Sequence, residues 1–186
     1  GADNLILGLR SDGAPIQWVN EDSVPFVAEK PDCGRIERAY AGSGPIAAIR
    51  KSIRDLPSGE NEFEYEAEIR KDLPLTHLHL RFCLPDAALA GLPVRSPDLA
   101  PENGVFSLSA TAGRVSVKIV EAPCEPVLRD YRHLPDDRRG YIWFEPKYDR
   151  ENGTVLRVRI QVKTLPRDDG AFLMLPLGTI ANRALS

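Results

Sequence analysis

The sequence predicts an all-β fold, a two-sheet antiparallel β-sandwich of about ten to twelve strands. Three observations predict it. Apolar and polar residues alternate with period two through most of the chain, the mark of half-buried strands. The 16 Pro and 14 Gly among 186 residues recur between these runs as turn signals. Only 85–91, Pro-Asp-Ala-Ala-Leu-Ala-Gly, reads as helix, so the strands lack the crossover helices that a parallel sheet requires. The uneven spacing of the strands favours a jelly-roll-like or supersandwich arrangement over a closed barrel.

In chain order the expected strands are 5–10, 15–20, 24–29, 45–56, 62–71, 75–84, 104–110, 115–121, 126–132, 140–148, 154–164 and 171–177. The stretch 92–103, carrying Pro93, Pro97 and Pro101, is a surface connection inside a single domain spanning 2–186. Three hairpins can be registered. Closing 45–71 at Pro57-Ser58-Gly59 sets Arg54 against Glu62, Ser52 against Glu64 and Arg50 against Glu66, with Ile53 meeting Phe63 and Ile49 meeting Ala67 on the other face. A slip of one residue would oppose Ile53 to Glu64, so charge and apolarity agree on this register. Closing 140–164 at Glu151-Asn152-Gly153 aligns Phe144 with Ile160, Ile142 with Val162 and Tyr148 with Leu156 on a buried face. The outer face then pairs Tyr141 with Lys163, Trp143 with Gln161 and Glu145 with Arg159. A third hairpin, around Thr111-Ala112-Gly113, pairs Phe106 with Ile119 and Leu108 with Val117. The core is expected to hold Phe63, Ile69, Leu78, Leu80, Phe82, Leu108, Val117, Ile119, Phe144, Ile160 and Val162.

Composition narrows the function classes. With 24 basic and 27 acidic residues the net charge is −3, which gives no bulk attraction to nucleic acid. No apolar run approaches the ~20 residues of a membrane-spanning helix. The three cysteines, Cys33, Cys83 and Cys124, show no zinc-knuckle spacing and permit one bridge at most, Cys83–Cys124 being one candidate. The opening Gly1-Ala2-Asp3-Asn4 lacks an initiator Met. It suits a glycine left by a cleaved tag, followed by a mature exported protein or by a domain of a longer chain. The expected location is periplasmic or extracellular.

Two strands carry side chains with possible chemistry. In 75–84, Leu78, Leu80, Phe82 and Leu84 share one face while His77, His79, Arg81 and Cys83 share the other. Imidazoles at i and i+2 can converge on a transition metal, with His133 or a glutamate of 62–68 as the third donor. Glu62, Glu64, Glu66 and Glu68 form an acidic stripe. Carboxylates about 5–9.5 Å apart would suit glycosidase chemistry, and an acidic cluster calcium, but any i, i+2 pair on a strand meets that spacing. The hairpin register places Tyr141 and Trp143 beside Arg159, Gln161 and Lys163. Flat aromatic surface bordered by hydrogen-bonding groups suits sugar rings, which have an apolar C–H face and a polar rim. No Gly-x-Ser-x-Gly elbow and no glycine-rich phosphate cradle follows a strand.

The stretch 36–84, opened by an Arg-Ile-Glu-Arg-Ala-Tyr segment and continued by long alternating strands, is similar in texture to sandwich domains attached to bacterial polysaccharide-degrading enzymes. No functional residue carries over from that similarity. The expectation is therefore a non-catalytic domain of an exported bacterial protein that binds an oligosaccharide or polysaccharide through Tyr141, Trp143, Arg159, Gln161 and Lys163. The alternatives are a metal-dependent or carbohydrate-active enzyme domain centred on His77 and His79, and an assembly domain with a protein partner or a second copy of itself. No resident cofactor is expected beyond such a metal.

Overall fold

The computed structural model describes residues 5–19, 25–32, 35–111, 113–135 and 139–166. They form twelve strands: β1 (Leu5–Ser11), β2 (Gln17–Val19), β3 (Phe26–Asp32), β4 (Arg35–Ala41), β5 (Ile46–Asp55), β6 (Asn61–Ile69), β7 (Leu75–Pro85), β8 (Val105–Ala110), β9 (Gly113–Glu121), β10 (Val127–Asp130), β11 (Arg139–Phe144) and β12 (Thr154–Pro166). All pair antiparallel, in a five-stranded sheet ordered β10-β11-β7-β1-β2 and a seven-stranded sheet ordered β3-β4-β5-β6-β12-β9-β8. The expected two-sheet sandwich is therefore the observed fold. The helix expected at 85–91 is a single 3-10 turn, Asp86–Leu89. No helix among the described residues is long and apolar enough to cross a membrane. The strand expected at 171–177 lies outside the described residues.

Side-chain parity decides which residues fill the space between the sheets. From the five-stranded sheet come Leu7, Leu9, Leu78, Leu80, Phe82, Ile142 and Phe144; from the seven-stranded sheet come Ile49, Phe63, Ala67, Val117, Leu156, Ile160 and Val162. Phe63 and Phe82 meet edge to face with ring centres 5.5 Å apart, joining the two inner faces. Every expected core residue is buried except Ile119, which is half-buried at the cluster's margin.

The first hairpin has the register that charge and apolarity dictate: Arg54 opposes Glu62, Ser52 opposes Glu64, Arg50 opposes Glu66 and Ile53 opposes Phe63. Gly59 takes φ +86°, the left-handed position that the loop requires. The third hairpin is displaced by two residues from the expected pairing. Phe106 faces Val117 and Leu108 faces Val115, because the strands run on to an Ala110–Gly113 pair around a tighter connection. A shift of two preserves the faces, which is why the apolar pattern could not detect it.

The second hairpin does not exist. Strand β11 pairs with β10 and β7, whereas β12 pairs with β6 and β9 in the other sheet. Phe144 and Ile160 are both buried, yet they belong to opposite sheets. Glu151-Asn152-Gly153 does turn the chain, but as a corner between sheets. The Asp149 carboxylate accepts from the Glu151 and Asn152 amides at 3.0 Å, and the Tyr148 hydroxyl donates to the Arg70 carbonyl at 2.8 Å. Pro146 lacks the amide that would have continued the β11 ladder. Charge settles where β12 goes: Arg157 opposes Glu66 and Arg159 opposes Glu64. Strand β4 is absent from the sequence reading because Arg38 breaks the alternation of Ile36 and Tyr40 on the same face. It pairs with Glu29 at 2.7 Å.

The connection after the 3-10 turn is fixed by a buried arginine. The Arg132 side chain is 7% exposed and donates to the Asp130 carboxylate at 2.9 Å. Its terminal nitrogens donate to the carbonyls of Leu89 and Leu92 at 2.8 Å. Leu99 and Leu128 then exchange backbone hydrogen bonds, holding the Pro-rich connection to β10. Removing the guanidinium leaves a buried carboxylate and two carbonyls without donors, so Arg132→Ala should lower stability by about 3 kcal/mol. Chemical denaturation checks this as a fall in midpoint at unchanged slope; a loss under about 1 kcal/mol would remove Arg132 from this role.

Candidate functional site

The two outer faces of the sandwich differ in kind. On the seven-stranded sheet the acidic stripe of β6 lies between basic residues of both neighbours. Arg54 donates to Glu62 and Arg157 to Glu66, each at 2.7 Å, and Arg50 donates to Glu66 at 2.8 Å. Burial opposes the Glu62 carboxylate, but the Gln161 amide and Arg54 hold it below the ordinary carboxylate range. Glu66 is held low by Arg157 in the first place. A concavity of about 410 Å³ lies nearby over Ala28, Ala39 and Ser52, and the charges at its rim include the Arg35–Glu37 pair at 2.9 Å. This face is an ionic ladder, in which Arg35 Nε and Arg159 Nε remain enclosed without a hydrogen-bond partner among the described residues.

Three of the five expected ligand residues belong to that ladder. Gln161 donates to Glu62 at 2.7 Å, Lys163 donates to Glu60 at 3.0 Å, and Arg159 lies 3.8 Å from Glu121. Tyr141 and Trp143 sit on the outside of the other sheet, so the structure does not gather the five residues on one surface. The cause is the missing hairpin: parity along β11 and β12 is as expected, but their outer faces point to opposite sides of the sandwich.

The outside of the five-stranded sheet is covered by a layer of rings and guanidinium groups. Strand β7 contributes His77, His79 and Arg81, and its neighbours place Gly8 opposite His79 and Trp143 opposite Arg81. Trp18 of edge strand β2 is opposite Gly8. A Cβ on Gly8 would lie 2.5 Å from the Trp18 ring, so only glycine lets the indole lie down across β1. There the Arg81 guanidinium carbon is 3.9 Å from the Trp18 ring centre and 4.2 Å from that of Tyr141. Trp143 packs edge-on to Trp18 at 5.9 Å and beside Tyr131 at 6.2 Å. Its indole N–H donates to Glu145 at 2.9 Å, the same oxygen that accepts from Arg129 at 3.0 Å.

Tyr141 and Trp143 are consequently only 2% and 6% exposed, whereas Trp18 is 37% exposed. The flat surface offered to solvent is Trp18, with Trp143 and Tyr141 as its support. An open concavity of about 580 Å³ adjoins this layer, lined by Arg95, Ser96, Asp98, Arg129, Asp130, Tyr131 and His133. The sequence named Arg81 on the polar face and missed Trp18, Arg129 and Tyr131, since their meeting depends on β1, β7, β10 and β11 pairing out of sequence order.

His77 and His79 are side by side as expected, with ring centres 5.9 Å apart. The residues across from them on β1 are Arg10 and Gly8, and the glutamates of 62–68 lie on the far sheet. Among the described residues no group of three or more His, Cys, Asp or Glu is placed to hold a metal ion. Cys83 and Cys124 are not joined by a bridge.

Burial, the largest influence, lowers the His79 pKa below the ordinary value of ~6.5, against the pull of Glu145; His77, Arg129 and Arg10 push the same way as burial. The unfolded chain thus binds more protons here than the folded one, so stability rises with pH across that interval. Its contribution should be complete above about pH 6.5 and decline as the solution is acidified below that value. Thermal unfolding between about pH 5 and 7 checks this, with His79→Gln expected to show the shallower slope. Equal slopes in both proteins would refute a neutral buried imidazole.

No protein-family model, no curated protein and no solved structure matches this chain.

Proposed function

We propose that the chain is a non-catalytic binding domain whose ligand is a carbohydrate, acting outside the cytoplasm as part of an exported bacterial protein. The observation that carries this reading is the Trp18 indole. It lies across Gly8, touches Arg81, and remains more than one-third open to solvent. A ring already fixed on a sheet loses little freedom when a sugar ring stacks on it. Hydrogen-bonding groups stand beside it, with His77 and Glu145 near the ring layer and Arg129, Ser96 and Asp98 in the adjoining concavity. That is the pairing of apolar face and polar rim that a saccharide matches. Polysaccharides of walls and capsules lie outside the cytoplasm, and export places the domain where they are.

Trp18→Ala should keep the fold and weaken glycan retention about tenfold or more, roughly 1.4 kcal/mol. Gly8→Val, which displaces the indole without deleting it, should do the same. Retention on a glycan array measures both, and unchanged retention in the two variants would overturn the assignment of Trp18.

An assembly role is the second reading, favoured by β3. Among the described strands it pairs only with β4, and it exposes Phe26 and Val27 by 58% and 60%. Exposed apolar residues on an open edge invite a further strand. Concentration-dependent sedimentation that disappears in Phe26→Lys would support this reading; a monomer at all concentrations would end it.

A further inference from the structure

Among the described residues, arginines such as Arg129, Arg132 and Arg54 are held by acids: Arg129 by Asp98 and Glu145, Arg132 by Asp130, Arg54 by Glu62. Arg81 is held by rings. Its Nε is enclosed and has no hydrogen-bond partner among the described residues, and the groups packed on its guanidinium are Trp18 and Tyr141. The residue as a whole is half-buried, so part of the side chain is open to solvent. Two residues along β7 on the same face is His79, whose Nδ1 is also enclosed and without a hydrogen-bond partner among the described residues. The carboxylate within reach, Glu145, lies 3.8 Å from His79 and already accepts from Trp143 and Arg129. Among the described residues, the Arg81 guanidinium therefore has aromatic partners and no carboxylate paired with it.

This bears on the ligand because Trp18 and Arg81 are in contact. A sugar ring stacked on Trp18 removes water from the Arg81 guanidinium as well. A neutral sugar would leave a desolvated cation without a counter-charge, which opposes binding. A carboxylate or sulfate on the sugar would receive the guanidinium fork directly, in the planar geometry that arginine recognises best. A cationic ligand is disfavoured for a complementary reason: Arg81 already fills the space between the rings that it would occupy.

Resting on the carbohydrate reading above, we infer that the ligand is an acidic saccharide, its sugar ring on Trp18 and its anionic group on Arg81. The intact chain is titrated with polygalacturonate, with dextran sulfate, with neutral dextran and with a single-stranded oligonucleotide, at rising salt. The acidic glycans should bind at least tenfold more tightly than dextran and weaken steadily with salt. Arg81→Gln should remove most of that preference, and Arg81→Lys should not restore it, since an ammonium has neither the fork nor the flat face. Preference for polygalacturonate assigns a carboxylate, and preference for dextran sulfate assigns a sulfate. Equal binding of neutral and acidic glycans by the unaltered chain, indifferent to salt, overturns this inference and leaves the carbohydrate reading standing. Retention of the oligonucleotide with no glycan bound overturns both.

Discussion

The alternation along β7 is the constraint on which the rest of the molecule depends. This strand lies in the middle of the five-stranded sheet, with β1 on one side and β11 on the other. Its inward residues, Leu78, Leu80, Phe82 and Leu84, are all buried in the core and meet the seven-stranded sheet through contacts such as Phe82 on Phe63. Its outward residues, His77, His79 and Arg81, are the base on which the aromatic layer is assembled. A shift of one residue in its pairing would send the histidines and the arginine into the core and the leucines into water. Burial of four apolar side chains thus sets the position of the candidate site, even though none of the four belongs to it.

The sandwich faces water with two different solutions to the same problem. Each sheet has a polar outer surface that must be kept ordered without a covering helix. On the seven-stranded sheet, order comes from charge: Glu62 and Glu66 of β6 accept from Arg54 and Arg50 of β5 and from Gln161 and Arg157 of β12. Its outer pairs, such as Arg35 with Glu37, are exposed, screened by salt and individually weak, whereas Glu62 is buried within the ladder. On the five-stranded sheet, order comes from packing, with Trp18 and Tyr141 against the Arg81 guanidinium, Trp143 against that of Arg129, and Tyr131 beside Tyr141 and Trp143. Both surfaces retain enclosed nitrogens without a hydrogen-bond partner among the described residues, Arg35 and Arg159 on the one and His79 and Arg81 on the other. What separates them is that Arg35 and Arg159 lie within 4 Å of carboxylates, whereas the contacts of the Arg81 guanidinium are aromatic rings.

What the sequence makes legible follows from the range of the interaction involved. The β5–β6 register was readable because its turn and its complementary charges all lie between Arg50 and Glu66, close together in the chain, and both criteria reject a slip. Parity along β11 was equally readable, and Ile142 and Phe144 are indeed inside. Which strand stood next to β11 was not. Two inward-facing strands satisfy the same alternating pattern whether they pair within a sheet or face each other across the core, and turn residues at 149–153 serve a corner as well as a hairpin. The error divided the expected ligand residues between two surfaces. It also concealed Trp18, whose importance rests on Gly8 being its neighbour across β1 and on Arg81 lying beyond, three positions brought together by sheet pairing alone.

Burial of Trp143 and Tyr141 changes what a ring layer is for. Two rings lying open would each have to be ordered by the ligand, and their surface would favour self-association. Here the inner rings are spent on one another and on the two arginines, and the result is a rigid platform with one ring outermost. Packing also sets the position of the Arg81 guanidinium against the Trp18 ring, so that for the proposed ligand stacking and charge pairing would be one geometry and not independent events. A ligand that satisfies only one of them must leave the other desolvated and unmatched. Selectivity in such a site comes less from added attraction than from the penalty on the wrong partner.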